Sequence, residues 1–279
     1  MPKITKLHSL TQGNEFISNS THSLSLNQQK ILYFLITCIN FSDEVFYPIE
    51  VDYKTLYNLI TPEDSSTHGR KKYLYELLLS LKNQTYYIFN DDSVEMFPWF
   101  SYFKFDKNLE SGTAIFQFNP LLSSHLLLQR KNFTRYSLGC FLAMSSGNAA
   151  KLYNLLNRYS YQGEVIIPLE TLRQLMNFLN THEKIDKYAE YRELQRKVLV
   201  PCIEEINQKT DIYVSFEPIK SDVDRRKIDS VRFLLHRKEE MVPAAQRFMH
   251  SEIELENDKS LINVSHGLKK VVHIVSLPD

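Results

Sequence analysis

One short pattern occurs twice in this chain, and it limits the fold more than any other feature. Val51-x-Tyr53-x-Thr55-Leu56-x-x-Leu59 returns as Ile167-x-Leu169-x-Thr171-Leu172-x-x-Leu175, at an offset of 167 − 51 = 116 residues. Asn83-Gln84-Thr85 has a looser echo in Asn207-Gln208-Lys209-Thr210, at 207 − 83 = 124. Self-similarity at a fixed offset is the mark of a duplicated structural unit. A chain of 279 residues has room for two units of that length and a short remainder.

Hydrophobic periodicity gives each unit the same order of elements. In the first, Ser25 or Asn27 caps a helix over Gln28 to Ile39. A β-prone run, Val45 to Val51, leads into a helix starting at Asp52, which the loop Thr61 to Ser66 ends. Arg70 to Leu81 is then an amphipathic helix with Leu74, Leu77, Leu78 and Leu81 on its apolar stripe. Strands follow at Tyr86 to Phe89, Met96 to Phe105 and Ala114 to Phe118, and Asn119 to Gln129 reads as a helical connector. The second unit has a helix over Ala149 to Tyr159, a strand over Val165 to Ile167, helices over Leu169 to Phe178 and Tyr188 to Asn207, and a hairpin of Ile212 to Phe216 with Ser230 to His236. Helix, short strand, helix, helix, hairpin is the winged-helix order. The expected fold class is therefore α+β, two tandem winged-helix domains related by internal repeat. The expected divisions are 1–119, 120–239 and a C-terminal tail, 240–279. The apolar run Val271 to Leu277 in that tail lies outside every pattern above.

Charge narrows the function. The 33 Lys and Arg balance 33 Asp and Glu, which excludes a uniformly basic, histone-like protein. Residues 121–240 nonetheless carry 19 basic against 15 acidic side chains, whereas 1–120 carry 10 against 13, so the second unit is the place to look for a polyanion site. The 7 glycines stand too far apart for G-x-G-x-x-G or G-x-x-x-x-G-K-[ST], excluding a Rossmann or Walker nucleotide loop. Cys38, Cys140 and Cys202 are widely spaced and flanked by apolar residues, which fits buried reduced thiols. The nine His form neither His-x-His nor His-Glu-x-x-His, there is no G-x-S-x-G, and Asp43-Glu44 and Asp91-Asp92 read as turn residues. No enzyme, cofactor or metal is expected. The start, Met1-Pro-Lys-Ile-Thr-Lys, has no hydrophobic signal core, and the longest apolar stretch, Ile31 to Phe41, is too short to span a bilayer, so a cytoplasmic, membrane-free protein is expected.

In a helix-turn-helix unit the second helix enters the major groove. At 100° per residue, Tyr191, Leu194, Val198, Cys202 and Ile206 share one face of the Tyr188 to Asn207 helix. Glu193, Arg196, Lys197 and Glu204 fall opposite, with Arg192 at the border. Arg192 and Arg196 are the expected base readers, because a guanidinium can donate two hydrogen bonds to guanine O6 and N7. The alternative is the solvated face of an ordinary surface helix. Lys187, just before this helix, and Tyr188, Gln195 and Lys197 on it complete the candidate set, and Pro201 should kink the helix or mark a local break. Arg225-Arg226-Lys227 lies at the hairpin tip, where a wing would grip phosphate or minor groove. A solubilising turn competes with that reading, given Asp222 and Asp224 alongside. Arg70, Lys71 and Lys72 open the third helix of the first unit as its DNA contacts.

At the level of residues the chain resembles the theta-type plasmid replication initiators, the Rep proteins that bind iterons. Leu24-Ser25-x-x-x-x-Lys30-Ile31-Leu32 resembles their opening segment. Phe133-Thr134-Arg135-Tyr136-Ser137-Leu138 with Ala150-Lys151-Leu152-Tyr153-x-Leu155-Leu156 resembles their inter-domain block. Val198-Leu199-x-Pro201-x-Ile203-x-Glu205-Ile206-Asn207 resembles their second recognition helix. By that similarity Arg196 falls in a cationic tract with Lys197, and Gln195 stands where some members have a basic residue. The resemblance implies a DNA-binding initiator that recognises directly repeated origin sequences, distorts nearby DNA and recruits the host replication initiator and helicase proteins. It also implies a first domain that dimerises on an inverted promoter repeat for autorepression, and a switch to monomers at the origin. Alternatives are a winged-helix repressor with no origin role and a nicking initiator of rolling-circle type.

Overall fold

The computed structural model describes residues 9–13, 17, 20–39, 43–60, 67–89, 92–107, 109, 112–127, 133–180, 185–238, 254–256 and 272–275. Strands β1 (Ser9–Gly13) and β2 (Ser20–His22) precede helix α1 (Leu26–Thr37). Its cap is Ser25, whose hydroxyl accepts from the Gln28 N–H while the Gln28 side chain accepts from the Ser25 N–H at 2.8 Å. That reciprocal pair is a capping box and fixes the helix start. Asn27 takes another role, donating to the Tyr73 hydroxyl at 2.8 Å.

β3 (Ile49–Asp52) is shorter than the β-prone run Val45 to Val51 predicts. Val45 is exposed, and Pro48 has no N–H to give a ladder. Asp52 caps α2 (Tyr53–Leu59), accepting from the Thr55 N–H at 2.8 Å. α3 (Thr67–Lys82) leads to β4 (Thr85–Phe89), β5 (Val94–Pro98), β6 (Phe100–Lys104) and β7 (Thr113–Phe118). The single strand expected over Met96 to Phe105 is two, because the chain changes sheets at Trp99: β5 pairs with β4, and β6 with β7. Trp99 is buried at this corner, its carbonyl accepting from the Asn119 N–H at 2.9 Å, and the Asn119 amide reaches the Pro98 carbonyl at 3.1 Å. The loop Thr61 to Ser66 lies outside the described residues.

A 3-10 turn (Pro120–Leu122) and the short α4 (Ser123–Leu126) stand at the expected connector. β8 (Phe133–Ser137) pairs antiparallel with β1 and runs into α5 (Leu138–Leu142), two elements the periodicity does not show. The second unit follows: α6 (Gly147–Asn157), β9 (Glu164–Pro168), α7 (Leu169–Leu175), the two-residue strands β10 (Leu179–Asn180) and β11 (Ile185–Asp186), α8 (Tyr191–Leu194), a π turn (Gln195–Leu199), α9 (Val200–Lys209), and the hairpin β12 (Ile212–Lys220) with β13 (Ile228–Arg237). β9 closes that hairpin into a three-stranded sheet, β12-β13-β9. The internal repeat holds in space: α2 and α7 begin and end at the same offset, 169 − 53 = 116 and 175 − 59 = 116. β14 (Glu254–Glu256) pairs antiparallel with β15 (Val272–Val275), and β15 lies parallel to β3, so part of the apolar run Val271 to Leu277 extends the first unit's sheet.

The two units share packing. Thr21 donates to the Leu175 carbonyl at 2.9 Å, Asn154 to the Tyr33 hydroxyl at 2.8 Å, and the Lys151 ammonium to the His22 carbonyl. Burial pushes the His22 imidazole well below its ordinary pKa, and nearby Lys151 adds to the effect. A histidine held neutral in the folded chain binds less proton than the unfolded one, so its contribution is present above the free pKa of about 6.5 and is lost as pH falls below it. The slope is at most about 1.4 kcal/mol per pH unit. Urea unfolding from pH 7 to pH 5 is expected to show it, and His22→Gln to flatten it; an equal slope in the variant would assign the acid loss elsewhere.

Candidate nucleic-acid interface

The helix from Tyr191 to Lys209 divides by chemistry into two faces. Leu194, Val198, Leu199, Cys202, Ile203 and Ile206 are buried, which fastens one side to the winged-helix core. Burial also raises the Cys202 thiol to about 12 and the Cys140 thiol to about 11, so both stay protonated, as buried reduced cysteines should. Arg192, Glu193, Arg196 and Lys197 are exposed on the other side. Lys197 donates to the Glu193 carboxylate at 2.7 Å, one turn back. That hydrogen bond and charge, with Arg196 adding, hold the Glu193 carboxyl below its ordinary range. Lys197 is thus locally balanced. Arg192 and Arg196 make no side-chain hydrogen bond or ion pair among the described residues, so their donors face solvent. Gln195 is half-buried at the start of the π turn.

At Pro201 the regular α-helical ladder is interrupted, the local break its position predicts, while helical backbone continues on both sides. The turn before it widens to a π turn, in which the Val200 N–H donates to the Gln195 carbonyl, five residues back. A proline ring collides with the carbonyl four residues behind it, and an extra residue in that turn relieves the collision.

The segment between α7 and α8 is more structured than a plain turn. β10 pairs with β11, and Asn177 and Tyr188, at φ 59° and 55°, bracket the pair in left-handed backbone. Arg173 on α7 forms an ion pair with Asp186 and donates to the Lys187 carbonyl at 3.1 and 3.2 Å. Lys187 is exposed beside this clasp. Tyr188 packs edge-on against Phe178, ring centroids 4.9 Å apart. No spacing rule in the sequence links Arg173 to Asp186, since the pair closes only when β10 pairs with β11.

In the wing, the Lys227 N–H donates to the Asp224 carbonyl at 2.8 Å, and the Asp224 carboxylate accepts from the Arg226 N–H at 3.1 Å. Asp224 therefore builds the turn that presents the cations. Arg225, Arg226 and Lys227 are all exposed. Val223 is 97% exposed at the same tip. Lys220, exposed at the bulge where β12 ends, is a fourth cation at the wing; its place directly before the turn residues is the signal that marks it in the sequence. In the first unit Arg70 and Lys72 are exposed and Lys71 is half-buried on the first turns of α3, with Lys72 3.9 Å from Glu76. The α8 and wing cations thus belong to one winged helix, and the α3 cations to the other. Among the described residues no cluster of three or more His, Cys, Asp or Glu is arranged to hold a metal ion, and no helix is long and apolar enough to cross a membrane.

Two family models match the chain, the first reaching through α6. Residues 9–157 match the family model described as initiator replication protein, WH1. Residues 168–235 match the one described as initiator Rep protein, WH2. Among solved structures the fold is similar to that in the crystal structure of Pi initiator protein in complex with iteron DNA, at 19% identity and a TM-score of 0.65, covering 84% of this chain and 99% of that one. No curated protein matches the sequence.

Proposed function

Because the chain belongs to the initiator replication protein family, we propose that it is a sequence-specific DNA-binding initiator that recognises directly repeated origin sequences. One observation carries this reading: Arg192 and Arg196 make no ion pair among the described residues and stand on the exposed face of a helix whose opposite face is locked in a winged-helix core. In that geometry the guanidinium groups reach base edges while the helix stays fixed. Arg225, Arg226 and Lys227 grip the flanking backbone, and Lys187 and the α3 cations Arg70, Lys71 and Lys72 supply further phosphate contacts. The similar Pi initiator fold was solved with iteron DNA, which supports repeats as the target. The proposed divisions are 1–119 for dimerisation and DNA contact, 120–239 for repeat recognition, and 240–279 as a tail. As a dimer the chain represses its own promoter; as a monomer at the origin it recruits host initiator and helicase proteins, acting without enzymatic chemistry of its own.

Selection from a duplex library with a randomised core of about 20 base pairs is the test. A recurrent sequence element is expected; enrichment no stronger than for an unrelated basic protein would overturn the reading. The wing makes a second prediction. Neutralising Arg225, Arg226 and Lys227 together should flatten the slope of log affinity against log salt by roughly 0.9 for each phosphate the wing no longer neutralises. An unchanged slope removes the wing from the interface.

A further inference from the structure

We infer that Pro201, which faces away from the core and carries no charge, is a specificity-determining positioning residue: the π turn it imposes sets the rotation at which Arg192 and Arg196 meet DNA. The inference rests on the base-reading role proposed above for α8.

The two halves of the helix are held differently. After the π turn, Cys202, Ile203 and Ile206 are buried, the Asn207 side chain exchanges hydrogen bonds with the Val214 backbone at 2.6 and 2.8 Å, and Lys209 donates to Glu205 at 2.8 Å. This half is fixed to α6 and β12. Of the exposed arginines, Arg192 stands before the π turn and Arg196 within it, and in the Tyr191–Leu194 turn only Leu194 is fully buried. Between them the Val200 N–H goes to Gln195. Pro201 has no N–H to return to the Lys197 carbonyl, four back, so the regular ladder cannot reform across this point.

One extra residue in a turn rotates the preceding helix face by about one residue's worth, roughly 100°. With base edges read over a few ångströms, such a rotation exchanges which side chain faces the groove. Arg192, before the π turn, and Arg196, within it, are both re-aimed when that turn tightens to a regular one. Pro201 and Val200 are themselves exposed, so replacing the proline opens no cavity. An alanine there restores the N–H to Lys197 and favours the regular helix.

The test compares the whole protein with Pro201→Ala in the same randomised-duplex selection. Pro201→Ala is expected to keep the thermal midpoint or raise it, to keep affinity for scrambled duplex, and to bind the wild-type element at least tenfold more weakly while enriching a different one. Added to Arg192→Ala/Arg196→Ala, Pro201→Ala should weaken binding to that element no further, since the triple variant removes no interaction that the two arginine changes have not already removed. The same enriched element at the same affinity, a further loss in the triple variant, or loss of cooperative melting in Pro201→Ala would each overturn the inference. Failure of the wild-type protein itself to enrich any element would instead overturn the base-reading role on which it stands.

Discussion

Phe141→Ala is expected to lower the unfolding free energy by about 3–5 kcal/mol, the usual cost of emptying a fully buried aromatic site. Phe141 sits on α5 and is 0% exposed, and its ring meets that of Tyr33 on α1 edge-on, with centroids 4.3 Å apart. The Tyr33 hydroxyl also accepts from Asn154 on α6. The cavity would open where α1 meets the helices that lead into the second unit, and packed neighbours on both sides prevent its collapse. A loss of that size is a large share of the roughly 5–15 kcal/mol that stabilises a typical domain. Urea unfolding followed by circular dichroism reads it as a lower midpoint; a loss below about 1 kcal/mol would mean the site relaxes and that this ring does not join the units.

Arg196→Ala is expected to weaken binding to the selected DNA element by about 1–3 kcal/mol, or about 5- to 150-fold, with little change on scrambled duplex. Arg196 contributes nothing visible to the fold: it is exposed and makes no side-chain hydrogen bond among the described residues. Its neighbour Lys197 is engaged by Glu193 at 2.7 Å, so Lys197→Ala should cost less and chiefly through salt dependence. Equal losses on cognate and scrambled duplex after Arg196→Ala would make Arg196 a phosphate contact.

What the sequence shows and what it hides follow from one distinction. Features repeated along the chain are legible: α2 and α7 begin and end at the offset of 116 that Leu56, Leu59, Leu172 and Leu175 announce, and the buried stripe Leu194, Val198, Cys202 and Ile206 follows helical spacing. Features made by partners far apart are not. β1 exists because it pairs with β8, more than a hundred residues later, and Ser9 lies opposite Ser137. β10 and β11 have two residues each, too few for any alternation to register. Trp99 turns the chain between sheets through a buried side chain and the Asn119 bonds, which no local pattern encodes. Pro201 marks a disturbance in the helix, but the form it takes, a widened turn, depends on the packing of Leu194 and Val198 before it and Cys202 after it. At the site, the cations Arg192, Arg196, Arg225, Arg226 and Lys227 stand exposed as the helical and hairpin patterns place them. The clasp of Arg173 on Asp186 and the turn built by Asp224 emerge only in three dimensions.

The most direct test of the central proposal, an initiator whose two winged helices read directly repeated DNA, is the mass of its complexes. Native mass measurement would use one duplex carrying two tandem copies of the selected element and another carrying the copies inverted, with neither nucleotide nor divalent metal present. Two linked winged helices span successive grooves from one chain, with contacts about one helical turn apart, whereas a two-fold dimer requires a palindrome. The account predicts one chain per copy on the direct repeat and a dimer on the inverted one. Obligate dimers on the direct repeat, or cleavage of the DNA when divalent metal is added, would contradict it.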